Sequence, residues 1–292
     1  MSNIDDPRVE AYLRAKYADV FSEEAIRGHL KDYVGRGYAS QMIQWVLQEY
    51  PGADKILDVG SGFGSFVLLC RENGIEAVGM ELSDFEVYFA RDRLRQQRPQ
   101  DDPEQVYIHG DALHMPFPDQ SFDVVTLFNV LEHVDDTKNL ISEVNRVLRP
   151  RGHLFSVSPN YSAFRREAHY HIPWIPWLPR SFAKCYIRLF GKNPQFFEES
   201  IFYTTHLGIL RTLGKAGFLI YPVAYDAYKP KLANPDTIKN GTIRMIVALC
   251  KRYHMLWLIS LAIQTTILKK KLIFFNPFKD STVVHAVKNK GE

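Results

Sequence analysis

Between residues 55 and 158, short apolar runs alternate with stretches of helical period, and few folds satisfy that rhythm. The strand candidates are KILDVG (55–60), EAVGME (76–81), VYIHG (106–110), FDVVTLFN (122–129) and GHLFSVS (152–158). Helices are expected between them near 64–73, 83–97 and 136–148, with Ser83 capping the second and Asp135 or Asp136 the third. DVVTLF is continuously apolar rather than alternating, so its strand is covered on both faces, as in a parallel sheet between helix layers. Repeated strand–helix alternation predicts an α/β, doubly wound, mostly parallel sheet. Two more strand candidates, 218–225 and STVVHAVK (281–288), with a helix over 205–216, bring the sheet to seven strands.

Two insertions interrupt this scheme. The stretch after Pro159 is rich in proline and aromatics (HYHIPWIPWLPRSF), too proline-dense for a central element. Segment 227–280 separates the last two strands. The organisation expected is therefore a helical segment over 1–52, a core over 53–226 and 281–292 with an insertion at 160–205, and a helical insertion at 227–280.

The composition excludes several classes. With 46% hydrophobic and 24% charged residues the chain is globular rather than disordered, and a formal charge of +3 gives no reason to expect a nucleic-acid partner. Cys70, Cys185 and Cys250 lie far apart, with no CxxC pair and no histidine at metal-ligand spacing, so neither a disulfide framework nor a metal site is expected. The first residues are acidic and polar, unlike a secretory signal, and no run reaches the ~18–20 apolar residues of a membrane span. A cytoplasmic protein is expected.

The sharpest local signal is ILDVGSGFGSF (56–66). A buried strand ends there and Gly60, Gly62 and Gly64 turn the chain into a helix, where the absence of Cβ atoms lets a ligand approach the backbone. The third glycine falls one residue earlier than in the dinucleotide fingerprint G-x-G-x-x-G, which disfavours a nicotinamide-dependent oxidoreductase. Asp58 before the loop suits a cationic amine, and Glu81 at the end of the second strand can accept both hydroxyl hydrogens of a ribose. Gly110-Asp111-Ala112 ends the third strand beside an adenine amino group, and Asn129 ends the fourth. Polar groups at four successive strand ends make one crevice for an adenosine with a cationic amino-acid tail.

On these residues the chain resembles class I S-adenosylmethionine-dependent methyltransferases, in particular the small-molecule group. The stretches that carry the resemblance are LDVGSGFGSF, VGMELSDFEVYFAR, GDALHMPFPDQSFDVVTLFNVLEHVDD and EVNRVLRPRGHLFSVSPN. The resemblance implies a Rossmann-like methyltransferase fold with a reversed last strand and S-adenosyl-L-methionine as cofactor. It also implies that Asp58 with the Gly60–Ser61–Gly62–Gly64 backbone holds the methionine end, Glu81 the ribose and Leu82 the adenosine flank. Asp111 and Ala112 would flank the adenine, and the Asn129 backbone would line the sulfonium. The family's last two strands usually form a short hairpin, whereas 227–280 separates them here.

The expected reaction is methyl transfer to a small-molecule or lipid-/glycan-linked acceptor, at oxygen before nitrogen or carbon. The alternative is a noncatalytic cofactor-binding partner subunit. A hydroxyl acceptor benefits from a base. His133 after the fourth strand is the first candidate and His171 in the insertion the second, with an orienting role for His133 equally compatible. The insertion sits where this family builds its lid, so Trp174 and Trp177 either wall the acceptor or pack the insertion on the sheet. His206 is expected as a capping or solvated residue rather than a cleft residue. Segment 238–275 alternates apolar turns with Arg244, Lys251, Arg252 and Lys269–Lys271. It suits peripheral contact with the inner face of an anionic membrane, or alternatively a packed cap or homodimer surface.

Overall fold

The computed structural model describes residues 6–18, 20–163, 165–221, 241–252 and 281–289. Its centre is a seven-stranded sheet: β1 (Lys55–Val59), β2 (Glu76–Glu81), β3 (Tyr107–His109), β4 (Phe122–Phe128), β5 (Leu148–Pro159), β8 (Phe218–Tyr221) and β9 (Ser281–Lys288). The order is β3-β2-β1-β4-β5-β9-β8. Strands β1 to β5 pair in parallel, and β9 runs antiparallel to both β5 and β8. The reversed last strand is present despite the long connection. β5 starts earlier than expected, with Leu148 pairing Phe122 and an irregularity before His153 pairs Val124.

The helices between the strands begin at local caps. α5 (Asp84–Gln97) is capped by Ser83, the short α6 (Pro103–Val106) by Asp102 and α7 (Thr137–Val147) by Asp136. α4 (Ser65–Glu72) follows the glycine loop directly, and α10 (His206–Lys215) is capped by Thr205. Alternation along each strand divides the core in two. Ile56, Val124, Phe155 and Val283 pack under α3 (Gly37–Glu49), α4 and α5. Leu57, Val125, Leu154 and Val284 pack against α7 and α10.

A third apolar cluster joins segments that are far apart in the chain. α1 (Pro7–Lys16) and α2 (Glu23–His29), followed by a π-helical turn at Leu30–Val34, pack against the insertion after β5. That insertion holds a two-stranded hairpin, β6 (Arg165–Arg166) and β7 (Pro173–Trp174), then α8 (Arg180–Leu189) and α9 (Gln195–Ser200). Val9, Leu13 and Ile26 thus meet Tyr161, Tyr170, Trp174, Ile187 and Phe197. Of the segment between β8 and β9, the described part is one helix, α11 (Gly241–Arg252). Lys269–Lys271 and the rest of the amphipathic stretch lie outside the described residues, as does the expected strand beyond Tyr221.

Candidate active site

A cleft with a cavity volume of about 1070 Å³ opens beyond the carboxyl ends of β1, β2 and β4, where an open α/β sheet binds its ligands. The glycine loop forms its floor. Gly60, Gly62 and Gly64 have φ of +70°, +52° and +77°. A Cβ on Gly60 would sit 2.5 Å from Val130 Cγ2, so the turn requires glycine for space as well as for conformation. The Gly60 and Ser61 amides donate to Met80 O at 2.8 and 3.1 Å, tying the loop to β2.

Glu81 stands at the end of β2 as expected, and it also holds the loop. Its Oε2 accepts the Gly62 amide at 3.0 Å, while Oε1 accepts Leu82 N and Ser83 N at 2.8 and 3.0 Å. Burial raises its carboxyl and Glu86 raises it further, against those amides. Asp58 is only 4% exposed, and its Oδ1 accepts the Thr126 hydroxyl at 2.5 Å. Burial pushes its carboxyl up to about 7, with Thr126 opposing and Glu81 adding to the shift. Leu82 is exposed at the rim with Asp111, whose Oδ1 accepts the Leu113 amide at 2.9 Å, and Ala112 lines the same side. Asn129 adopts φ +58°, and its Nδ2 donates to the Tyr33 and Tyr38 hydroxyls at 3.1 and 3.3 Å. Every one of these expected positions lines the cleft except Gly64, which closes the turn beneath it.

Both candidate histidines reach the other end of the cleft. His133 ends a 3₁₀ turn, Leu131–His133, and its Nδ1 lies 2.7 Å from the Ser200 carbonyl oxygen. A carbonyl can only accept, so Nδ1 carries the hydrogen and Nε2 keeps a lone pair. Loss of solvation, then the neighbouring His169, lower its pKa to about 4, so the ring is neutral at neutral pH. The His133 and His169 rings stand 5.2 Å apart. His169 Nδ1 is 3.2 Å from Glu167 Oε1. Burial works to raise the Glu167 carboxyl, but His169, the Tyr170 amide and the Tyr161 hydroxyl outweigh it and hold it at about 2. His171, at φ +54°, stands 6.0 Å from the Phe21 ring.

The packing decides between the two readings of the tryptophans, and the expectation for His206 needs correction. Trp174 lies against Tyr161, Tyr203 and Phe197 inside the insertion and Trp177 faces water, so neither walls the acceptor. Tyr17, Phe21 and Phe196 are among the aromatic residues that line the cleft. His206 is 1% exposed, neither solvated nor capping; Thr205 caps the helix and His206 packs beneath it.

The N-terminal helices contribute residues that no local pattern announced. Lys16 Nζ lies 2.6 Å from Glu86 Oε1, the oxygen that also accepts the Tyr12 hydroxyl at 2.8 Å. Burial opposes the Lys16 charge, but Glu86 outweighs it and raises the ammonium. His29 stacks on Tyr33 at 4.4 Å over the same cleft. Among the described residues no cluster of His, Cys, Asp and Glu could hold a metal ion.

Residues 57–156 match the family model of the methyltransferase domain. The 27-O-demethylrifamycin SV methyltransferase of Amycolatopsis mediterranei is 35% identical over 102 residues, 35% of this chain and 37% of that one. A demethylmenaquinone methyltransferase of Listeria welshimeri is 30% identical over 152 residues, 50% of this chain and 61% of that one. The matched region thus spans only about a third to three-fifths of these relatives. Among solved structures, a Haemonchus contortus phosphoethanolamine N-methyltransferase 2 holding S-adenosylhomocysteine superposes with a TM-score of 0.54 at 16% identity, over 97% of this chain and 60% of that one. At that identity the likeness is one of fold. Residues 57–156 are thus a methyltransferase domain, whose methyl donor is S-adenosylmethionine. The donor set suits it: a buried carboxyl at Asp58 for an ammonium and a half-buried one at Glu81 for a diol, beside a glycine turn without side chains.

Proposed function

We propose that this protein transfers a methyl group from S-adenosylmethionine to a hydroxyl of a small-molecule or lipid-/glycan-linked acceptor, with His133 as the base. The observation that carries this reading is the tautomer of His133, set by the Ser200 carbonyl at 2.7 Å. Asp58 and the Gly60–Gly64 backbone hold the methionine end, Glu81 the ribose, and Asp111 and Ala112 the adenine. When bound, S-adenosylmethionine supplies a sulfonium methyl: the acceptor oxygen–methyl bond forms, the methyl–sulfur bond breaks and S-adenosylhomocysteine leaves. The hydroxyl proton passes to Nε2 of His133. Its lowered pKa makes a weak base whose Nε2 is free to take a proton at neutral pH. A weak base suffices, because the hydroxyl becomes strongly acidic as its oxygen acquires the methyl. Tyr17, Phe21 and Phe196 supply an apolar wall for the acceptor body, and His171 stands at the same end.

Mass spectrometry of a cell extract incubated with isotopically labelled methyl donor identifies the acceptor, and the label is expected on an ether oxygen. With that acceptor in hand, His133→Ala should lower turnover by roughly 10²–10⁴-fold, with cofactor affinity nearly intact. Near-normal turnover removes His133 from the chemistry. Label on nitrogen or carbon refutes the oxygen assignment.

A further inference from the structure

Helix α8 carries two apolar stripes, and the core accounts for only one. Ala183 and Ile187 are buried in the third cluster. Phe182, Cys185 and Leu189, spaced i, i+3 and i+7, form a second line on another side of the helix that faces water. Phe182 is 66% exposed and Leu189 83%, and Trp177 in the loop before the helix is 68% exposed. Ile175 and Phe190 extend the exposed apolar surface at either end. So many large apolar groups exposed in one stretch mark a surface that meets something.

Charge identifies the partner. From Pro173 to Pro194 the chain has no acidic residue, while Arg180, Lys184, Arg188 and Lys192 are all basic. Arg180 turns inward, donating to the carbonyls of Phe197 and Glu198 at 3.0 and 2.8 Å, and Lys184 pairs with Glu198 at 2.6 Å. Arg188 is exposed beside the apolar stripe. Lys192 donates to the Val20 carbonyl, so the exposed cation beside the Trp/Phe/Leu face is Arg188, in a stretch without acidic residues, and apolar groups flanked by positive charge are the composition of a helix that lies in a lipid interface.

We infer that the face formed by Trp177, Phe182, Leu189 and Arg188 docks the protein on an anionic lipid surface. The contacts of Arg180 and Lys184 join this helix to α9, whose Phe196, Glu199 and Ser200 line the acceptor end of the cleft. Docking there sets the acceptor end beside the lipid headgroups.

The test is co-sedimentation of the full chain at low salt with vesicles of phosphatidylcholine alone or mixed with phosphatidylglycerol. Binding is expected only to the anionic vesicles and should weaken as salt rises. Trp177→Ala/Phe182→Ala/Leu189→Ala should weaken it at least tenfold, and Arg188→Gln roughly fivefold. The melting temperature should hold, because these side chains are exposed. Tryptophan emission should shift to the blue on binding, a shift lost in Trp177→Phe and kept in Trp257→Phe. Absence of anionic vesicle binding, or a triple variant that binds as the unchanged protein does, overturns the inference. A triple variant that turns a dimer into a monomer without any lipid binding also overturns it, in favour of an interface between copies.

Discussion

At the end of β2 both oxygens of Glu81 accept backbone amides, and the residue lines the cleft. A carboxylate oxygen has lone pairs to spare, so holding the loop and binding a diol are compatible. Glu81→Gln keeps the shape and one acceptor oxygen but loses the charge. It should weaken S-adenosylmethionine binding by roughly 1.5–3 kcal/mol, the range for hydrogen bonds to charged groups. Calorimetry measures this, and unchanged affinity in a folded variant would remove Glu81 from the ribose site. Glu81→Ala should cost more, since it releases the Gly62, Leu82 and Ser83 amides together, whereas Gln keeps those that its one oxygen meets. The position of Glu81 at a strand end was readable in the sequence. Its second task was not, because it depends on how the loop of β1 folds back on β2.

The unit of β1, glycine loop and α4 is the most constrained element of the fold. Gly64 has φ +77°, and a Cβ there would lie 2.6 Å from the Tyr107 hydroxyl. That hydroxyl in turn donates to Gly64 O at 2.8 Å. Gly74 has φ +79°, yet a Cβ there would meet nothing within 4 Å. The two positions therefore separate backbone strain from close approach. Gly74→Ala should cost about 1 kcal/mol, the cost of a left-handed conformation alone. Gly64→Ala should cost about 2–4 kcal/mol and disturb cofactor binding, because Tyr107 must also move. Denaturant unfolding of the two variants checks the difference, and equal losses would show that Tyr107 yields freely. On the other side of the cleft, α1 is held by Tyr12 and Lys16 against Glu86. An N-terminal helix is thereby part of the cleft wall rather than an appendage to the sheet.

Across the whole molecule, several histidines are held neutral by loss of solvation. His29, His153 and His206 are lowered to about 4, as is His133. An unfolded chain protonates histidine near 6.5, so between about pH 6.5 and 4 the unfolded state binds more protons. Stability is therefore full above pH 6.5 and lost as pH falls through that window. His206, deeply buried, should contribute close to the limit of about 1.4 kcal/mol per pH unit, and the partly exposed ones less. Asp58, raised to about 7, and Glu81, also raised, work the opposite way, as two carboxyls against several imidazoles. Urea midpoints should be level from pH 8 to 7 and fall below pH 6.5, and a midpoint that rises on acidification would contradict this assignment of buried neutral rings. The sequence alone determined the parallel sheet, the glycine turn and the carboxylates at the strand ends. Each follows from short-range periodicity, local caps or the steric needs of one turn, all of which are written in neighbouring residues. Only the tertiary structure decided the acceptor side. The Lys16–Glu86 pair, the Glu167–His169–His133 series and the Ser200 carbonyl that selects the His133 tautomer join residues from separate segments. Such contacts depend on how α1, α2 and the β5 insertion pack over the sheet, and no periodicity within a segment encodes which distant side chain it will meet.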